Sequence, residues 1–204
     1  MRLIGMLDSP YVRRVAVSLN LLDLPFAHES LSVFRQYEAF ASINPVVKAP
    51  TLVLDDGTVL MESTLILDHI GRLASNLALD PVELRAHARS QRIVGLALAA
   101  AEKSVQIYYE HIVRPGEKLH QPWLDRVTHQ LFEAYRLLEA EIGEAEGWVV
   151  DNRPMQADIT TATAYTFTVR TIPEVMKADA FPAIARLTAR AEAHPAFQAS
   201  PYDG

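Results

Sequence analysis

The pattern of apolar residues differs between the two parts of the 204-residue chain, and this difference limits the folds that the chain can adopt. Up to about residue 75, short apolar runs alternate with segments of helical spacing, whereas the residues after Pro81 keep helical spacing throughout. A chain of this length can form two hydrophobic cores. We therefore predict one domain at residues 1–77, a linker at Ser75–Pro81, and an all-α domain at residues 82–204.

The first domain is predicted to contain four strands and three helices in the order β-α-β-α-β-β-α. The first two strands flank a helix and can therefore pair in parallel, whereas the last two surround the turn Asp55-Asp56-Gly57 and predict a hairpin. Pro10 suits the first turn of a helix, with Asp8 and Ser9 before it as capping residues. The predicted elements are strands at Arg2–Met6, Pro25–Leu31, Thr51–Leu54 and Thr58–Met61, and helices from Pro10, at Val33–Ser42 and from Ser63.

The second domain is predicted to be a helical bundle. Apolar residues recur on one side of each of its segments, which is typical of amphipathic helices that share a core. The predicted helices are Val82–Val113, Trp123–Ile142, Met155–Thr171 and Phe181–Ala193. The whole chain is thus expected to be an α+β or α/β domain followed by an all-α domain.

Composition excludes several classes of function. The sequence contains no cysteine, so the chain cannot form disulfides, thiolate metal sites or a protein-thiol nucleophile. The net charge of −6 argues against nucleic acid binding, which needs a basic surface. No two histidines are three to five residues apart, so we expect no metal. Because the longest apolar run, Ile93–Ala101, is about half the length that spans a bilayer, and the first residues lack a leader pattern, we expect a cytoplasmic protein without a membrane segment.

Three short motifs carry the functional information: residues 8–14 (DSPYVRR), 44–52 (NPVVKAPTL) and 57–63 (GTVLMES). Together and in this order they resemble the glutathione S-transferase superfamily. The resemblance implies a thioredoxin-like N-terminal domain, a helical C-terminal domain, glutathione as cosubstrate and a homodimer. It also implies a detoxification enzyme in which the glutathione thiolate attacks hydrophobic electrophiles or peroxides.

In that family, a hydroxyl or thiol beside the first helix handles the glutathione sulfur, and Ser9 occupies this position. Tyr11 is the alternative, because it lies near the same helix entrance and a phenol is more acidic than an alcohol. Ser9 has a second interpretation, since serine is also a preferred helix cap. A hydroxyl donor and a helix N-terminus both favour an anion at this point.

The other two motifs correspond to the family's contacts with the rest of the tripeptide. The resemblance implies that Ala49 precedes a cis Pro50 and pairs through its backbone with the cysteinyl unit, and that Glu62 and Ser63 hold the γ-glutamyl end. Ser63 can alternatively be an ordinary helix cap. Lys48 is a candidate partner for the glycyl carboxylate, or a solvated loop lysine.

The electrophile pocket of the family lies near the end of the first long helix of the second domain. Here that region contains Tyr108, His111 and Arg114, and Tyr11 is expected to contribute from the first domain. Aromatic residues at this spacing also occur in cores and subunit interfaces. Asp158 matches the acid of a structural capping box, but the capping position is Met155, so we expect Asp158 to bind loop backbone alone.

Two other functions remain open on the sequence. Some members of the fold are interaction proteins without catalysis, such as the starvation proteins, and fold alone does not distinguish them. Others are glutathione-dependent isomerases of small acids, which would need more basic residues near the pocket than Arg13, Arg14 and Arg114 guarantee.

Overall fold

Four short strands form one mixed sheet in the N-terminal part of the chain. A computed structural model describes residues 1–74 and 78–203. The strands are β1 (Arg2–Ile4), β2 (Ala27–Glu29), β3 (Thr51–Val53) and β4 (Val59–Met61), in the order β2-β1-β3-β4. β1 pairs in parallel with β2 and antiparallel with β3, and β3 pairs antiparallel with β4. The predicted order, parallel pair and hairpin are confirmed.

Three helices accompany the sheet: α1 (Pro10–Leu21), α2 (Tyr37–Ile43) and α3 (Ser63–Leu73). α1 packs against β1 and α3 through an apolar face that includes Val12, Val15 and Leu19. The strands are shorter than predicted at their ends. α2 also starts four residues later than predicted.

The late start of α2 follows from Ser32. Its hydroxyl accepts hydrogen bonds from the Phe34 and Arg35 amides, both at 3.2 Å, and its amide donates to the Gln36 side chain at 2.8 Å. Serine hydroxyls commonly stabilise such turns in competition with helix. The segment 33–36 is therefore a turn rather than the first turn of a helix.

The second part of the chain is a helical bundle, as predicted. Its helices are α4 (Leu84–Tyr108), α5 (Gln121–Ile142), α6 (Gln156–Thr171) and α7 (Pro182–Glu192), and α4 continues into one π-helical turn at Tyr109–Val113. α4 packs against both α5 and α6. Buried hydroxyls of three helices meet at Thr168, whose side chain bonds Ser104 and Tyr135 at 2.7 Å each. No helix within residues 1–74 and 78–203 has the length and hydropathy needed to cross a membrane.

Asp158 holds the start of α6 from a fully buried position. Its two oxygens accept hydrogen bonds at 2.9 Å from the amides of Val149 and Met155. Burial raises the pKa of this carboxyl, and the two backbone hydrogen bonds oppose the rise. The acid thus binds loop backbone as expected. The expectation that it does so alone is wrong, because the capping box is complete and the buried Met155 side chain accepts from the Asp158 backbone.

The chain divides into two compact units, but not quite where the sequence indicated. One unit comprises Met1–Leu79 together with the residues from Ala193 onward, and the other comprises Asp80–Glu192. The C-terminal segment, which includes α8 (Pro195–Gln198), had been expected in the helical domain. The predicted domain end at residue 77 and part of the predicted linker lie outside the described residues.

Two polar residues of α1 attach the C-terminal segment to the first unit. The Arg13 Nε atom donates to the Ser200 carbonyl at 2.9 Å, and its guanidinium lies 5.6 Å from the centre of the Phe197 ring. Asn20 donates to the Ser200 hydroxyl at 2.9 Å. In a sequence, an arginine on a helix is normally taken to be exposed. The pattern of apolar residues therefore could not predict that Arg13 is buried against the C-terminal segment.

Candidate functional site

The register of the sheet brings the three sequence motifs to one edge. Ile4 of β1 lies opposite Thr51 of β3, and Thr51 lies opposite Met61 of β4. The residue after β1, the cis Ala49–Pro50 bond before β3 and the residue after β4 therefore lie at the same edge. With strands about 4.8 Å apart, β1 and β4 are separated by about 10 Å, which is also about the length of an extended tripeptide.

Gly5, which the motif analysis missed, allows the close approach of two of these motifs. Its φ angle is +133°, and a Cβ atom built on it would lie 2.7 Å from Cγ2 of Val12 and 3.2 Å from Cβ of Ala49. A side chain at this position would therefore separate the first turn of α1 from Ala49. In the sequence, the only sign that Gly5 permits this close approach is its position between an apolar strand and a helix cap.

Ser9 is the N-cap of α1. Its backbone is extended, and its hydroxyl oxygen accepts a hydrogen bond from the Val12 amide at 3.4 Å. A serine hydroxyl can accept a hydrogen bond and still donate its proton. The capping role and the role as sulfur partner are therefore compatible. Tyr11 is half-buried in the first turn of the same helix.

Charged groups also lie near the entrance of α1. Burial raises the pKa of Asp8, and the carboxylate of Asp203 in the C-terminal segment raises it further. Arg35 acts in the opposite direction on this pKa, and its guanidinium lies 3.4 Å from the sulfur of Met6. Asp8 thus disfavours a second anion near Ser9, and Arg35 offsets part of this effect.

The loop before β3 is held by a buried asparagine. The Asn44 amide group donates to the Thr51 hydroxyl at 2.8 Å, its oxygen accepts from the Val46 amide at 3.1 Å, and the Thr51 hydroxyl donates to the Lys48 carbonyl at 2.6 Å. Within the part of the chain that the structure describes, no partner is found for the backbone N–H and C=O groups of Ala49. These groups can accept an extended peptide. The Lys48 side chain is exposed.

The N-cap of α3 is Glu62, not Ser63. Glu62 has a φ angle of 72°, and its carboxylate accepts hydrogen bonds from the Thr64 amide at 3.1 Å and the Leu65 amide at 3.3 Å. Ser63 is the first residue of the helix and is only 2% exposed. The alternative in which Ser63 serves as an ordinary cap is therefore wrong.

The polar groups of Ser63 are well placed for an anion. Its hydroxyl oxygen accepts a hydrogen bond from Nη1 of buried Arg14 at 3.3 Å. Its amide N–H has no acceptor among residues 1–74 and 78–203. The positive end of a helix, an open amide and a hydroxyl proton thus converge at one point, as in many carboxylate-binding sites. In the sequence, Arg14 is recognisable only as a basic residue near the first motif.

The three residues expected in the electrophile pocket from the helical unit separate into different environments. Arg114 donates to Glu110 Oε1 at 2.5 Å and to the Lys118 carbonyl at 3.0 Å. The Tyr108 ring contacts the Tyr109 ring, with centroids 6.3 Å apart. His111 lines an open groove of about 520 Å³, which neither Tyr108 nor Arg114 lines; its other lining residues are Gln121, Leu124, Asp125, Thr128, His129, Phe132 and Val175.

No group of three or more histidine, aspartate or glutamate side chains suitable for a metal ion occurs in the described part of the chain. The site that the motifs define consists instead of backbone groups, hydroxyls and one carboxylate.

Comparison with known proteins agrees with the geometry of the first unit. Residues 3–77 match the family model for the glutathione S-transferase N-terminal domain. Glutathione S-transferase U4 of Arabidopsis thaliana is 31% identical over 85 residues, which is 40% of this chain and 38% of the plant protein. Maleylacetoacetate isomerase of Pseudomonas aeruginosa is 25% identical over 200 residues, which is 91% of this chain and 88% of the isomerase.

Similarity to solved structures extends over the whole chain. A glutathione S-transferase from Methylobacterium radiotolerans, crystallised with glutathione sulfonate, superposes with a TM-score of 0.90 and 26% identity. The alignment covers 100% of this chain and 95% of the crystallised one. The N-terminal domain model, the thioredoxin-like sheet and this full-length similarity together show that the chain belongs to the glutathione S-transferase superfamily.

Proposed function

We propose that the protein is a glutathione transferase whose glutathione site is the edge formed by the ends of β1, β3 and β4. The main support for the proposal is that three sets of hydrogen-bonding groups available to a ligand belong to the segments at this edge, which is about 10 Å long between β1 and β4. They are the Ser9 hydroxyl at one helix entrance, the Ala49 backbone and the Ser63 amide at a second helix entrance. Each is complementary to one part of the tripeptide.

The γ-glutamyl end of glutathione carries a carboxylate and an ammonium group. The Ser63 amide and hydroxyl can receive the carboxylate, and the Glu62 carboxylate can receive the ammonium group. Glu62 uses one oxygen, Oε2, for both of its bonds with the helix. The other oxygen is thus available for the ligand, so that capping and ligand binding do not exclude each other.

The cysteinyl unit pairs with the Ala49 backbone, and the glycyl carboxylate is reached by the exposed Lys48 side chain. Backbone pairing requires no particular side chain at residue 49. The hydrogen bonds of Asn44 and Thr51 hold the loop before β3 in place before the ligand arrives. A preorganised loop of this kind reduces the conformational entropy lost on binding.

The sulfur lies at Ser9 as a thiolate. Lowering the pKa of a cysteine-type thiol by about two units requires a preference of about 2.7 kcal/mol for the thiolate. A hydrogen bond to a charged group supplies roughly 1.5–3 kcal/mol, and a helix N-terminus supplies about 0.3–2 kcal/mol. The Ser9 hydroxyl and the α1 entrance can thus activate glutathione without a metal or a protein thiol.

The chemical step is nucleophilic attack by this thiolate. On a carbon electrophile, the sulfur forms a bond to carbon while the leaving group departs with its electron pair. On a hydroperoxide, the sulfur attacks the terminal oxygen, the O–O bond breaks and the other oxygen leaves as an alkoxide that takes up a proton. The sulfenic acid of glutathione formed in this way then reacts with a second glutathione to give the disulfide and water. We propose an apolar electrophile, with His111 as a candidate contact in the helical unit. Arg114 is a weak candidate for an anionic substrate, because Glu110 neutralises its charge.

Glutathione-dependent isomerisation is the second candidate, favoured by similarity to the Pseudomonas isomerase over most of both chains. A substrate with two carboxylates would need accessible cations. Arg13 and Arg14 are 1% and 2% exposed and bonded within the first unit, and Arg114 is paired with Glu110. None of these three arginines is thus an accessible, unpaired cation, and on this ground we propose the transferase first.

We also propose that the protein forms a homodimer. The exposed apolar side chains Val46, Leu65 and Leu73 in the first unit support this proposal, since they are 66%, 65% and 49% exposed. Exposed apolar residues are common individually, whereas a contiguous patch of them often marks an interface, and we propose that these three belong to one such patch. Light scattering of the purified protein measures this directly.

A screen with glutathione and aryl halides, epoxides, isothiocyanates, hydroperoxides and a cis-enone diacid tests the function. Ser9→Ala should retain glutathione affinity within about tenfold but lower turnover by about 100-fold, as expected for loss of one charge-stabilising donor. Tyr11→Phe is the matched control and should retain most activity. If Tyr11→Phe is inactive and Ser9→Ala is active, the sulfur partner is Tyr11. A protein that does not bind glutathione at all would leave only the interaction-protein alternative.

A further inference from the structure

Two adjacent arginines of α1 are buried, and they serve different parts of the first unit. Arg13 bonds the C-terminal segment through the Ser200 carbonyl. Arg14 instead donates to the hydroxyl oxygen of Ser63 at 3.3 Å, and both Arg14 and Ser63 are 2% exposed. Burying a guanidinium group has a large desolvation cost, so each hydrogen bond that it makes in the protein matters for its position. The bond to Ser63 ties Arg14 to the proposed site.

The contact fixes what the Ser63 hydroxyl can do. A serine hydroxyl has one proton to donate and two lone pairs that accept. Because Arg14 can only donate, the Ser63 oxygen is the acceptor, and the hydroxyl proton must point away from Arg14. A hydroxyl that is held in this way can donate to a ligand without first breaking a bond in which it is the donor.

The same residue also carries an open amide N–H at the start of α3. The amide and the hydroxyl proton together form a two-donor receptor, and the positive charge of Arg14 lies directly behind it. The positive charge of Arg14 raises the affinity of these two donors for an anion but does not raise their affinity for a neutral group.

We propose that Arg14 is a positioning residue for the γ-glutamyl carboxylate: it orients the Ser63 hydroxyl and makes Ser63 selective for a negatively charged group. This inference rests on the glutathione site proposed above and specifies the ligand group that the α3 entrance recognises. Arg14 acts through Ser63 and does not touch the ligand.

The test compares two ligands that differ only in this carboxylate: glutathione, and the analogue in which 4-aminobutyrate replaces the γ-glutamyl residue. Dissociation constants are measured by calorimetry for the wild type, Arg14→Lys, Arg14→Gln, Ser63→Ala and the double variant Arg14→Gln/Ser63→Ala. Arg13→Lys is the matched control, because it is a buried arginine on the same helix that bonds the C-terminal segment instead.

We expect Arg14→Gln to weaken glutathione binding by about tenfold or more, in line with loss of a charge-assisted contact, and to leave binding of the analogue within about twofold. Arg14→Lys should restore part of the difference, because it keeps the charge. The double variant should bind glutathione no more weakly than Ser63→Ala alone, since Arg14 acts through Ser63. Arg13→Lys should lower thermal stability without changing the ratio of the two dissociation constants.

Equal weakening of both ligands in Arg14→Gln, or additive effects of Arg14→Gln and Ser63→Ala, would overturn the inference. If neither Arg14 variant folds, nitrogen NMR of arginine-labelled wild type decides. The Arg14 side-chain signal should shift on addition of glutathione and not of the analogue, and an identical response to both ligands contradicts the proposal. Failure of the wild type to bind glutathione would instead refute the proposed function.

Discussion

Glu62 affects the stability of the protein in two ways, as a helix cap and through a strained backbone, and mutation can separate the two contributions to the free energy of unfolding. Its carboxylate caps α3, and its backbone has a φ of 72° and a ψ of 117°, which side-chain-bearing residues rarely adopt. Loss of an N-cap costs about 0.5–2 kcal/mol, and an unfavourable backbone conformation of this kind costs about 1–3 kcal/mol. Alanine removes the cap and keeps the strain, whereas glycine removes the cap and relieves the strain.

The chain offers a matched control at the start of α4. Glu83 caps that helix in the same manner, with bonds of 2.8 Å from the Arg85 and Ala86 amides, but its φ is an ordinary −67°. Glycine is better than alanine at any N-cap by up to about 1 kcal/mol. The quantity of interest is therefore the stability advantage of glycine over alanine at residue 62 minus the same advantage at residue 83.

We expect this difference to be about 1–2 kcal/mol, because only residue 62 has strain to relieve. In melting temperature it corresponds to a few degrees, at about 2–4 °C per kcal/mol for chains of this size. Urea and thermal denaturation followed by circular dichroism measure the four variants. Equal advantages at the two positions would refute the assignment of strain to Glu62. Both Glu62 variants should also bind glutathione more weakly than the wild type, since both lack the carboxylate proposed to contact the ammonium group.

Two further predictions concern the α1 entrance. Gly5→Ala should destabilise the protein by about 2 kcal/mol or more, because its Cβ would lie 2.7 Å from Val12, in the range of overpacked cores. Gly71→Ala is the control: apart from the adjoining residues of its own helix, no atom lies within 4 Å of its Cβ, and the substitution should stabilise the protein by roughly 0.5–1 kcal/mol. Equal effects of the two substitutions would contradict the close approach at Gly5. Asp8→Asn should raise the melting temperature at neutral pH but not below pH 3.8. Burial and Asp203 raise the folded-state pKa of Asp8 above its ordinary value of 3.8, so the stability of the wild type falls as the pH rises through that pKa. An unchanged melting temperature at pH 7 in Asp8→Asn, with Asp23→Asn as the control, would show that the shift is absent.

The order of elements was predictable because it depends on local patterns. Pro10 after Ser9 marked the start of α1, and the Asp55-Asp56-Gly57 turn marked the hairpin. The three motifs could be assigned to one site through their resemblance to the glutathione S-transferase superfamily, and the register of the sheet places them at one edge. These signals need no knowledge of distant contacts.

What the sequence could not show depends on contacts between distant residues. The burial of Arg13 and Arg14 is stabilised by partners 187 and 49 residues away. Glu62 rather than Ser63 caps α3 because the backbone at Glu62 has a positive φ angle. Neither residue type indicates such a backbone conformation in the sequence. The turn at Ser32 competes with a helix of similar local propensity, and its hydroxyl decides the outcome.

The central claim is that the entrance of α1, with Ser9, keeps the sulfur of bound glutathione ionised near neutral pH. An ultraviolet difference titration of the thiolate in the saturated complex, with wild type and Ser9→Ala side by side, measures it most directly. The account predicts a thiol pKa about two units below the free value near 8.5 in the wild type, and a return toward the free value in Ser9→Ala. A bound thiol that titrates like free glutathione in the wild type would contradict it.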